Sequence, residues 1–290
     1  MGIKEEIRNS FKEGSTLTKL IYINLGLFVV VGLTNVIMML FNIYSDWTHY
    51  LMLPASLGTL LYTPWTIVSY MFFHTGFIHL IFNVLILYWF GKIFMNFFSQ
   101  RDLVGLYLIG GFLGGIFYIL AYNIFPLFSE KIDGSYLLGA SASVLAIIVA
   151  VAVAAPDFRV RMLFFGEIRL KWIAVAGVVI SLLNVASSNA GGEIAHLGGA
   201  LAGYIFAVRY KKGDNITDGL NRFLDYFVVL FRKKPVLRVT HRRPMTDHEY
   251  NLQKKQENDN IDRILDKIKK GGYEALSKEE KQELFRASQR

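Results

Sequence analysis

Leu138-Gly139-Ala140-Ser141-Ala142-Ser143 stands at the start of an apolar run over residues 136–155. A serine there either packs a helix, by bonding back to the preceding turn, or does chemistry. The same pattern recurs on both sides. Downstream, Ala195-His196-Leu197-Gly198-Gly199 opens a run over residues 194–208. Upstream, Phe73-His74-Thr75-Gly76-Phe77-Ile78-His79, with Asn83 beyond it, opens a run over residues 77–98. In all three places the group capable of proton transfer or hydrogen bonding sits at the head of an apolar block.

These blocks decide the fold class. The chain has 290 residues, 53% of them hydrophobic, and a mean hydropathy of +0.37. Its apolar residues come in stretches of membrane-spanning length, which a soluble domain does not need. Six such blocks are expected: residues 20–41, 77–98, 103–125, 136–155, 172–186 and 194–208. Residues 42–65, with Trp47, His49, Tyr50, Tyr62 and Trp65 among Pro54, Gly58 and Pro64, read as a loop in the membrane interface. The third block holds Gly110/Gly114 and Gly111/Gly115, spacings that let helices approach closely. The expected architecture is all-α: a polytopic bundle of six transmembrane helices with a small cytoplasmic helical tail. The expected divisions are an N-terminal segment (1–19), the membrane domain (20–210), an amphipathic helix and linker (211–256) and a helical C-terminal segment (257–290). The N-terminal segment does not read as a cleaved signal peptide.

The net charge of +8 does not point to nucleic acid, because the basic residues flank apolar blocks and crowd the tail. That distribution fits a membrane surface. Six spans place both termini on one side. Lys4, Arg8, Lys12, Lys19, Lys92, Arg101, Arg159, Arg161, Arg169 and Lys171 then share that side, against Lys131 alone on the other. The expected orientation is N-in and C-in, in a bacterial inner membrane. Even-numbered helices then run from outside to inside, so His79, Ser141 and His196 share one shallow depth near the outer face.

A serine hydroxyl needs a base, and His196 is the natural one. Ala142, Ala146, Ala150 and Ala154 recur every four residues on the fourth block, and Ala195, Gly199, Gly203 and Ala207 on the sixth. Two small-residue ridges of this kind can pack backbone to backbone. Glu193 is assigned to the outer loop, so the reading favours a Ser-His dyad over a triad. His79 and Asn83, four apart on one helix face, can donate to an oxyanion, as can the Ser141 amide. His74 takes a supporting role. Ser141 as packing alone is the bland alternative, and Ser143 is the rival nucleophile. The chain has no cysteine, which removes thiol chemistry and cysteine metal sites. His74 and His79 lack a nearby carboxylate or a metal-binding spacing, so no metal and no cofactor is expected.

At these residues the chain resembles the rhomboid intramembrane serine proteases. The resemblance runs from residues 67 to 208, with Trp65 before them. It rests on His74, His79 and Asn83, on Gly139 and Ser141, and on Ala195-His196 followed by Gly199 and Gly203. It implies Ser141 as nucleophile, His196 as base, His79 and Asn83 as oxyanion donors and His74 in support. It implies peptide-bond cleavage in transmembrane segments of other membrane proteins, near small helix-destabilising residues. The partners implied are those substrates and the lipid bilayer. Three positions depart from the family pattern: Thr66 replaces an arginine, Ala142 a glycine and Leu145 an aromatic. The fifth block is the favoured gate, and the tail resembles a C-terminal extension of some bacterial rhomboids. The alternatives are a non-catalytic rhomboid-like scaffold binding client membrane proteins, and a small transporter. The latter lacks the internal repeats and charged midplane elements it would need.

Overall fold

The computed structural model describes residues 5, 10–11, 14–162, 166–231 and 246–288. The chain divides into two compact units, Met1–Arg232 and Lys233–Arg290.

In the first unit the long helices are α1 (Thr16–Leu40), α2 (Phe77–Phe94), α3 (Gln100–Ile124), α4 (Ser141–Ala154), α5 (Leu170–Leu183) and α6 (Ala190–Lys211), with α7 (Asp218–Phe231) after them. Among the described residues three helices, α1, α2 and α3, are long and apolar enough to cross a membrane. Of the other expected spans, α4 and α5 are apolar but only 14 residues each. The 22-residue α6 carries Glu193, Arg209 and Lys211.

The helix of the fourth block starts five residues later than its hydropathy suggests. Residues Tyr136–Leu137 form strand β2, which pairs antiparallel with β1 (Leu53–Pro54). Gly139 then takes φ +112, a backbone region that side chains disfavour. That turn lets the helix begin at Ser141. The expected interfacial loop is ordered. It carries a 3₁₀ turn at Trp47–Leu51 and a short helix at Leu57–Tyr62, and a short helix at Thr66–Ser69 and a 3₁₀ turn at Tyr70–Phe72 follow it. The Trp65 indole donates to the Tyr50 carbonyl at 2.8 Å. Thr66 is fully buried and its hydroxyl donates to the Thr63 carbonyl at 2.6 Å, so this departure from the family pattern closes a turn. The all-α expectation is thus corrected in detail. A second antiparallel pair, β3 (Arg159–Met162) and β4 (Gly166–Arg169), occupies the basic loop. The exposed Asp157 carboxylate at its foot is held below the usual range by Lys171, and then by Arg169.

The core of this unit lies where α3, α4 and α6 meet. α4 is buried along nearly its whole length, and α3 and α6 approach it through small residues. A Cβ added at Gly199 would collide with the Ala142 carbonyl, and one at Gly203 with the Ala146 carbonyl. The expected ridges therefore do meet, as backbone against backbone. Ala142, the second departure, is absorbed by α3: a Cβ at Gly114 would lie 2.8 Å from the Ala142 methyl. Leu145, the third, packs towards Gly177 of α5.

At the other end a polar clasp closes the unit. Asp102 is only 3% exposed. One carboxylate oxygen accepts from the Ser99 amide at 3.1 Å and the Ser99 hydroxyl at 2.7 Å. The other accepts from Asn215 and Thr217, both at 2.7 Å. A carboxylate can be buried when its lone pairs are filled this way. It fastens the start of α3 to the segment that follows α6.

The second unit contains α8 (Asp247–Gly271) and α9 (Lys278–Ser288). α8 begins with a Thr246/Glu249 capping box inside the stretch expected to be linker to residue 256. A second capping box opens α9, with Glu280 N–H donating to the Ser277 hydroxyl at 3.3 Å and Ser277 N–H to the Glu280 carboxylate at 2.8 Å. Residues 232–245 of the expected helix-and-linker stretch lie outside the described residues.

Two outcomes follow for thermal unfolding in detergent. Gly203→Ala should lower the midpoint clearly, whereas Gly26→Ala, with open space around it, should hold or raise it through helix propensity. Asp102→Ala should cost about 2–4 kcal/mol, because it removes the buried acceptor on which four hydrogen bonds converge.

Candidate active site

Ser141 is the first residue of α4, so its side chain leaves the helix where no preceding turn crowds it. His196 lies in the second turn of α6, 55 residues later. The crossing at Gly199 brings the two together: the Ser141 hydroxyl is 2.7 Å from His196 Nε2. That is a short, direct hydrogen bond.

The pair faces a cavity of about 720 Å³ whose lining includes His79, Asn83, Tyr118, Ser141, Gly191 and His196. His79 is at the start of α2, and Asn83 one turn on. The space that a Cβ on Gly139 would fill lies 2.9 Å from the His79 ring and 3.9 Å from the Ser141 hydroxyl. Glycine therefore keeps open the gap between His79 and Ser141. The Asn83 amide donates to the His79 carbonyl at 2.9 Å, which uses one of its two N–H groups. The other remains for a second acceptor.

His74 does not reach the serine. It is 1% exposed and bridges two backbone segments: Nδ1 lies 3.3 Å from the Phe72 carbonyl, and Nε2 accepts from the Ala140 amide at 3.3 Å. These contacts require the Nδ1–H tautomer, since the carbonyl can only accept and the amide only donate. The Gly139 amide donates to the Tyr70 carbonyl at 2.9 Å, and the Tyr70 hydroxyl donates to the Gly111 carbonyl at 2.5 Å. His74 thus holds the backbone turn immediately before Ser141. The His74 and His79 rings are 5.2 Å apart, edge to face.

Ser143, two residues on, points elsewhere. It is 1% exposed, and a Cβ at Gly111 of α3 would lie 2.7 Å from its hydroxyl. That oxygen has no hydrogen-bond partner among the described residues. Gly199 and Gly203 occupy the helix crossing, as expected.

Two residues at the histidine escaped the sequence reading. Glu193, assigned to the outer loop, lies within the first turn of α6. Its carboxylate is 3.2 Å from His196 Nδ1. Ser181 of α5 places its hydroxyl 3.0 Å from the same nitrogen. A glutamate three residues before a histidine is a usable signal once both fall on one helix. The lone serine in an apolar block gave none.

The arrangement offers a hydroxyl bonded to an imidazole, donors beside it and a cavity that admits a ligand. Similarity to known proteins gives the family. Residues 61–212 match the rhomboid domain, and residues 245–290 match a family of unknown function (DUF6576). The chain is 30% identical over 158 residues to RHOMBOID-like protein 12, mitochondrial, of Arabidopsis thaliana, covering 51% of this chain and 47% of that protein. The chain thus spans about half the length of that curated relative. The rhomboid match covers more than half of the chain and contains His74, His79, Asn83, Ser141 and His196, and on it the chain belongs to the rhomboid family.

Proposed function

We propose that this chain is an intramembrane serine endopeptidase that cleaves transmembrane segments of other membrane proteins. The observation that carries the reading is the 2.7 Å hydrogen bond from Ser141 to His196 Nε2, facing the cavity. A serine inside a helix commonly bonds back to the preceding turn, but Ser141 begins its helix and has no such turn. Ser141 bonds to a base on another helix.

In this reading Nε2 takes the Ser141 proton as the oxygen attacks a peptide carbonyl. The oxyanion forms in the gap beside Gly139, within reach of His79, Asn83 and the Ser141 amide. Collapse expels the amine, which carries away the proton held on His196. A water molecule repeats the sequence against the acyl-enzyme, releases the acid and restores Ser141. Substrates need small, helix-destabilising residues near the cut, because a helical backbone keeps its carbonyls bonded.

The six-span bundle with both termini inside belongs to the same proposal. The basic residues support it, as does the position of His79, Ser141 and His196 near the starts of α2, α4 and α6. Water then reaches the site from the outer face.

The test is cleavage of a model single-span substrate by the full chain in liposomes. Ser141→Ala and His196→Ala should each lose at least about 10³-fold in kcat/KM. Ser143→Ala should keep wild-type activity, because its hydroxyl is buried against α3. Gly139→Ala should lose activity while folding, since a methyl there enters the gap and strains the turn. Equal cleavage by wild type, Ser141→Ala and His196→Ala would refute the assignment. A wild-type protein that neither cleaves nor reacts at Ser141 with a fluorophosphonate would instead favour the non-catalytic scaffold.

A further inference from the structure

We propose that Glu193 and Ser181 are positioning residues for His196, holding the imidazole by Nδ1 so that Nε2 faces Ser141. The inference rests on the protease reading and replaces the simple dyad with a base that has its own support.

A neutral imidazole has one nitrogen that donates and one that accepts. To take the Ser141 proton, Nε2 must accept, so the ring hydrogen must sit on Nδ1. That hydrogen lies in a partly buried place, where leaving it without an acceptor is unfavourable. Two oxygens converge on it, Ser181 at 3.0 Å from α5 and Glu193 at 3.2 Å from the turn preceding His196.

The two oxygens differ in what they can specify. A hydroxyl donates or accepts, so Ser181 alone would tolerate either tautomer. An ionised carboxylate only accepts. Glu193 therefore selects the Nδ1–H form, the one that leaves Nε2 free for Ser141. Once the serine proton has moved, the ring is a cation, and the carboxylate 3.2 Å away stabilises it. The side chains are 21% exposed for His196 and 16% for Glu193, so the charge is only partly screened. Ser181 is 3% exposed. It adds a lateral contact from a different helix, which fixes the ring plane and ties α5 to the geometry of the base.

Each residue also has a plain alternative. Glu193 could serve only the dipole at the start of α6, and Ser181 could serve only packing. Steady-state kinetics on the full chain, with a single-span substrate in detergent, separate these. Neither residue touches the serine, so a positioning role should lower kcat and leave KM unchanged. Glu193→Gln should reduce kcat about 10–100-fold, less than the ~10⁴-fold seen when a sole buried acceptor is lost. Ser181→Ala should reduce kcat severalfold, and Ser181→Thr, which keeps the hydroxyl, should restore it. Fluorophosphonate labelling of Ser141 should slow in the same order, with thermal midpoints unchanged. Wild-type kcat in Glu193→Gln, alongside inactive Ser141→Ala, would overturn the positioning role and leave the protease reading standing. So would a loss of activity matched by a fall in thermal midpoint, which marks a structural role. A wild-type chain that neither cleaves nor labels would overturn both.

Discussion

The carbonyl oxygens of Ala142 and Ala146 occupy the space that side chains at Gly199 and Gly203 would need. This contact sets the distance between α4 and α6, and most of the site follows from it. Ser141 precedes Ala142 and His196 precedes Gly199 by one turn, so the backbone crossing carries the two functional atoms with it. Hydrogen bonds weaken over a few tenths of an ångström. One methyl group between these helices would separate the pair. α3 supports the arrangement from a third side, where Gly114 receives the Ala142 methyl.

A second constraint acts in front of Ser141. The chain cannot run straight from the β1–β2 ladder into α4, because the serine would then be an ordinary mid-helix residue. Gly139 turns it, the Tyr70 carbonyl holds the Gly139 amide, and His74 holds the Ala140 amide. The first turn of α4 then separates two similar serines. Two residues along a helix is a rotation of about 200°, so Ser141 meets the cavity while Ser143 meets α3.

Much of the site was legible before the structure. Serine, histidines and asparagine at the heads of apolar blocks, and small residues at four-residue spacing, are signals that survive without coordinates. What stayed hidden has physical reasons. Hydropathy ends a helix where polarity begins, yet first turns favour acidic residues, so Glu193 was misread as loop. The Nδ1 partners come from i−3 on the same helix and from a separate helix, a relation that no linear pattern displays. Residues 136–140 carry no charge and run on into the apolar residues of α4, and only the backbone at Gly139 shows where the helix starts. A two-residue ladder such as β1–β2 is too short to leave a pattern. The count of spans is blurred because α4 and α5 are both short, and α4 is buried in protein for most of its length.

That shortness has a consequence for the surrounding lipid. Fourteen residues of α-helix rise about 21 Å, against a hydrocarbon layer of roughly 30 Å. α4 is screened from lipid by its neighbours, but the equally short α5 exposes Val175, Val179, Ile180 and Leu183, and in the proposed six-span arrangement it leaves a deficit of several ångströms. Lipid meets such mismatch by deforming, at a modest free-energy cost per ångström. The bilayer beside the protein is then a poorer solvent for a visiting helix of ordinary length than the bilayer far away. For the proposed protease, part of the work of unwinding a substrate helix then falls to acyl chains and not to side chains, and its turnover depends on the thickness of the host membrane.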